Sequence, residues 1–115
     1  MKCFSVQELL DDSTPPVQEL ISLSGMIKSS SSGLLYFVTQ VGEIKRGIAI
    51  SYPRLIPIVR RAGIQKGIPH GILESGEAIG TLVQKHGELL LEGIVYLKMK
   101  NIVILNEDNS AQSTG

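Results

Sequence analysis

One cysteine, two histidines and eleven carboxylates are the groups in this 115-residue chain that could do metal, nucleophilic or acid–base chemistry. Cys3 lies at the N-terminus with no base near it in sequence, so it reads as an inert thiol, and a single cysteine excludes an internal disulfide. His70 and His86 stand in glycine-flanked turns, "PHG" and "KHGE", and offer no zinc-ligand spacing with Cys3. Glu74 and Glu77 are three residues apart in or beside a loop, where solvated carboxylates are the rule. "GIQKG" and "GEAIG" carry glycines but match no phosphate-binding loop. The expectation is a protein that is not an enzyme and holds no metal or cofactor.

The cations are distributed differently. Residues 7–19 hold Glu8, Asp11, Asp12 and Glu19 and no base, whereas residues 45–66 hold Lys45, Arg46, Arg54, Arg60, Arg61 and Lys66 and no acid. Formal net charge is +0, against the basic excess of a nonspecific nucleic-acid coat protein, but a neutral total can hide a basic face. Hydrophobic residues are 43% and charged residues 19%, as in ordinary globular chains, and no apolar run approaches the ~20 residues that span a membrane. The N-terminus lacks the long apolar segment of a signal peptide, which points to an intracellular protein, cytoplasmic or nuclear.

The elements that must position these groups are mostly strands. "SVQELLDDS" spaces Val6, Leu9 and Leu10 as a short helix over residues 5–11, stopped by "STPP". "LISLSGMIK" (20–28) alternates with period two and is a half-buried strand. "LLYFVTQV" and "IKRGIAISY" read as a second and third strand. "PRLIPIVRRAG" breaks the alternation and suits a short helix with its prolines in the first turn and Gly63 after its end. Residues 64–76 read as loop. "EAIGTLVQK" and "ELLLEGIVYLKMK" form a closing hairpin across "HG", and "NIVIL" either extends it or adds a short strand. Three parts follow: a helix and linker over 1–16, one domain over 17–105, and a polar mobile tail over 106–115.

Glycines at the middle of two strong strands, Gly25 and Gly93, weaken those strands unless the backbone must bend there. One short helix cannot cover five strands, whereas a closed sheet buries every inward residue and leaves no edge. Gly25, Gly93, Gly47 and Gly80 are therefore read as bend points of a small barrel.

In this order of elements the chain resembles the oligonucleotide/oligosaccharide-binding (OB) fold over about residues 17–105. The likeness rests on "LISLSGMIK", "LLYFVTQVGEIKRGIAISY", "PRLIPIVRRAG" and "EAIGTLVQKHGELLLEGIVYL" in succession. It implies an all-β protein with short helices, a five-stranded antiparallel Greek-key barrel. Such folds bind single-stranded nucleic acid across strands two and three. The resemblance implies stacking by Tyr36 or Phe37, with one of this adjacent pair facing inward. It implies phosphate contacts by Lys45, Arg46, Arg54, Arg60, Arg61 and Lys66. A small accessory subunit of a DNA replication, repair or chromosome-end complex is the expected setting.

A second reading stays open. "LLLEGIVYLKMKNIVIL" is apolar on both faces, and Leu90, Ile94 and Tyr96 are candidates to pack on a protein partner or a second copy of the chain. In that reading the fold is a protein-interaction module without nucleic-acid contact.

Overall fold

The computed structural model describes residues 1–30, 34–39, 47–53, 55–61 and 73–106, with the side chains of residues 56 and 60 left out. In chain order the elements are β1 (Lys2–Ser5), α1 (Val6–Asp11), β2 (Leu20–Ser29), β3 (Leu35–Val38), β4 (Ile48–Ile50), α2 (Leu55–Arg61), β5 (Leu73–Lys85), β6 (Glu88–Met99) and β7 (Ile102–Asn106).

β2, β3, β4, β6 and β5 pair in that order, and β5 returns to pair β2 from Leu20↔Thr81 to Lys28↔Leu73, which closes a five-strand barrel. The all-β expectation is met. Every barrel pair is antiparallel except β4–β6, which is parallel through Ala49↔Leu90 and Ile50↔Leu91. A purely antiparallel reading missed that pair, because nearest-neighbour pairing cannot describe a strand reached by way of α2 and β5. Alternation along the strands supplies the interior. Ile21, Leu23, Ile27, Leu35, Phe37, Ile48, Leu82, Leu91 and Leu97 are fully buried and form one cluster. Leu55 and Val59, one turn apart on α2, join it and leave Pro57 exposed.

Three further differences from the sequence reading have local causes. β5 begins at Leu73 rather than Glu77, because its first residues are held by the long pairing with β2. β1 is a strand where no period was visible; four residues, Lys2 to Ser5, pair in parallel with Ile21 to Ser24. "NIVIL" is a separate strand, since Lys100 and Asn101 adopt left-handed φ of 50° and 62° and reverse the chain between β6 and β7. Asn106, the first residue of the expected tail, ends β7, and residues 107–115 lie outside the described residues.

β1 lengthens the β2 edge and β7 lengthens the β6 edge. Part of the barrel wall thereby becomes a wider layer, β1-β2-β5-β6-β7.

The glycines separate into two kinds. Gly93 is a bulge residue with φ +60°, where a Cβ would meet Thr81 Oγ1 at an unstrained 3.8 Å. Between the pairs Ile79↔Tyr96 and Thr81↔Glu92, β5 has one residue and β6 has three, so β6 bends there as expected of a bulge. Gly80, facing the bulge, has no room for a side chain: a Cβ would lie 2.8 Å from Ile94 Cδ1 and 2.9 Å from the Glu92 carbonyl oxygen. Gly25 pairs with Gly76 across β2 and β5. A Cβ at Gly25 would lie 2.6 Å from Val6 Cγ2, so this glycine admits the side chain of α1. α1 is fixed by a capping box in which the Glu8 N–H donates to Ser5 Oγ (3.3 Å) and the Ser5 N–H to Glu8 Oε1 (2.9 Å). Its Val6 and Leu9 are 2% and 1% exposed and complete the core.

Candidate nucleic-acid interface

The outer face of β3 and β4 is the surface that the OB resemblance singles out. Alternation divides its aromatic pair. Phe37 is 0% exposed and belongs to the core, so it is not available to stack on a ligand. Tyr36 faces outward and is half-buried. The strand register places it in a row of outward positions that crosses four strands: Lys28 on β2, Tyr36, Ala49 on β4 and Leu90 on β6. The Tyr36 ring thus has a lysine on one side and Ala49, then Leu90, on the other. This row brings together two residues that the sequence assigned to different roles, Tyr36 and Leu90.

Ile94 does not share that face. In a regular strand Leu90, Ile94 and Tyr96 point the same way. The bulge at Gly93 turns Ile94 into the core, 2% exposed, above the space that Gly80 leaves empty. Ile94 is therefore removed from the partner surface. Tyr96 remains outward and half-buried, in a different row with Cys3, Ser22, Ile79 and Asn106.

Of the basic cluster, Arg61 is exposed at the end of α2. Arg60 lies in the same helix, and its side chain is outside what is described. Lys45, Arg46, Arg54 and Lys66 also lie outside the described residues. Tyr52 packs partly buried against the core cluster, so it too serves the fold.

The layer β1-β2-β5-β6-β7 carries a concave feature that the sequence reading missed. A groove of about 780 Å³ opens on its outer surface beside the start of α1, the end of β3 and the β6–β7 turn. Val6, Met26 and Val38 give it an apolar portion, and Ser5, Gln7, Ser24, Thr39 and Ser75 supply hydroxyl and amide groups. Lys98, Lys100 and Asn101 stand at one side, with Glu77 next to Lys98 across the β5–β6 ladder. Lys100 Nζ is 3.9 Å from Glu74 Oε1 with the lysine side chain 60% exposed, a long and weak contact. Lys98 forms no ion pair among the described residues. The only signal for this groove in the sequence is the shared parity of Ser24 and Met26 on β2, and parity does not say which strands lie side by side.

Among the described residues no group of three histidine, cysteine or carboxylate side chains is placed to hold a metal ion, and Cys3 is exposed. No described helix is long and apolar enough to cross a membrane. No family model matches the chain, and neither a curated protein nor a solved structure matches it.

Proposed function

We propose that this chain is a single-stranded nucleic-acid-binding protein of the OB superfamily, acting as a small accessory subunit in DNA replication, repair or chromosome-end maintenance. The barrel's strand order and its one parallel pair are compatible with that fold. The observation that carries the reading is the position of Tyr36. Its ring faces outward from the second barrel strand, beside Lys28, where a base would stack while its phosphate meets a cation. Stacking tolerates any base, because each has a π-face, so affinity without strong sequence preference is the expected behaviour. Titration of a fluorescent oligo-dT by anisotropy at 50 mM salt tests this. Binding that weakens steeply with salt supports it. No binding at low salt to either a DNA or an RNA oligonucleotide refutes it.

A protein-interaction role without nucleic acid is the second reading. Leu90 lies on the same outward row as Tyr36, two strands away beyond Ala49, and Ile102 and Val103 on β7 are 38% and 52% exposed. Multi-angle light scattering reads this directly. A monomer at all concentrations, together with oligonucleotide binding, would count against it.

A further inference from the structure

We infer that the groove over β2, β5 and β6 is a second contact for the same nucleic-acid strand, with a base against Met26 and its phosphate on Lys98 and Lys100. This rests on the nucleic-acid reading above and adds a site away from the β3–β4 face.

Three observations carry it. The groove, about 780 Å³, falls within the ~300–1,000 Å³ range of sites that enclose small ligands. Its lining is divided as a nucleotide is divided. Half-buried Met26 gives an apolar portion for a base, the hydroxyls of Ser24, Thr39 and Ser75 give donors and acceptors for base edges and sugar, and two ammonium groups lie at one side. The lysines are also available. Among the described residues Lys98 has no ion pair, Lys100 has only the 3.9 Å contact to Glu74, and Glu77, cross-strand from Lys98, is the one carboxylate in the lining.

The groove continues into the Tyr36 row. Along the outer face of β2, Ser24 and Met26 line the groove, and Lys28, the next outward residue, pairs with Tyr36. From Lys28 to Lys98 is four residues along β2 and two strands across, ~16 Å by strand geometry. One short single strand can therefore stack on Tyr36, pass Lys28 and Met26, and end on Lys98 and Lys100.

The test is the salt dependence of oligo-dT binding for the intact chain, for Lys98→Gln/Lys100→Gln and for Tyr36→Ala. Each phosphate contact on a single strand contributes a slope of about −0.7 in log K against log salt. Losing both lysines should make the slope shallower by about 1.4 and shrink the affinity lost between 50 and 200 mM salt by about sevenfold. Ser75→Glu, which adds an anion to an exposed strand position in the groove, should weaken binding at 50 mM salt and serves if the lysine variant does not fold. If Tyr36→Ala weakens binding but the slope of the lysine variant and the affinity of Ser75→Glu are unchanged, the groove is off the path and only this inference fails. If the intact chain binds no oligonucleotide and instead binds an acidic peptide through the same lysines, both readings fall.

Discussion

Replacing Gly25 with alanine puts a methyl group where Val6 already sits. The new carbon would lie 2.6 Å from Val6 Cγ2 and 3.7 Å from Phe37 Cδ1, so the clash is with one methyl of one side chain. Overpacking of this kind costs about 1–3 kcal/mol. Val6→Ala has its own cost. It removes the equivalent of two methylenes from a side chain 2% exposed, about 1.6 kcal/mol of transfer free energy plus a cavity contribution, in all about 2 kcal/mol. If the two sites were independent, the double variant would lose about 3–5 kcal/mol. The alanine at 25 instead fills the space that the valine methyl leaves, so the double variant should lose only about 2 kcal/mol. That is a favourable coupling of about 1–3 kcal/mol, well above the ~0.5 kcal/mol scatter of additive pairs. Urea unfolding of the four members of the cycle, followed by circular dichroism, measures it, provided the slopes agree. Additivity within 0.5 kcal/mol would refute the idea that Gly25 exists to admit α1. Backbone bending at Gly25 would then be the better explanation.

Gly76→Ala should have no such rescue, because its Cβ would lie 2.6 Å from the Lys98 carbonyl oxygen as well as 2.7 Å from Ile27 Cδ1, and a ladder carbonyl cannot be trimmed; a loss of about 2 kcal/mol or more by the same unfolding assay is expected. At Gly93, where φ is +60° and a Cβ would meet no clash, asparagine should be tolerated better than alanine, with alanine costing about 1 kcal/mol; equal costs would show that the left-handed backbone is not what selects glycine there. Tyr36→Ala should leave the melting temperature nearly unchanged while weakening oligonucleotide binding by about 1–3 kcal/mol, roughly 5- to 150-fold, whereas Phe37→Ala should destabilise the fold by about 3–5 kcal/mol. His86 holds φ 54° in a two-residue turn with Gly87, and His86→Asn should raise thermal stability slightly, by about 0.5 kcal/mol, since asparagine adopts that backbone more readily.

Much of the fold was legible along the chain. Period-two alternation marked β2, β4, β5 and β6, and aromatic and β-branched content marked β3; alternation predicted most of the buried set, because in a strand the side of a residue follows from its parity. Proline positions and the terminal glycine marked α2, and the spacing of Val6 and Leu9 marked α1. The Tyr36/Phe37 split was also foreseeable from parity, although the choice of the inward member was not. Parity failed at Gly93. A bulge changes the count on one strand, and this moved Ile94 from the expected outer face to the core.

The sequence by itself determined which residues alternate and where the chain turns, since these depend on neighbours a few residues apart. Only the tertiary structure decided the pairing of β2 with β5, the register that aligns Gly25 with Gly76, and the docking of α1 against them. It also decided that Lys28 and Ala49 flank Tyr36, with Leu90 one strand further along the row, and that Lys98 and Lys100 border a groove with Met26. The physical reason is that closure joins strands about fifty residues apart. Their relative register is fixed by how inward side chains fill a common interior, a condition on the whole set that no local pattern contains.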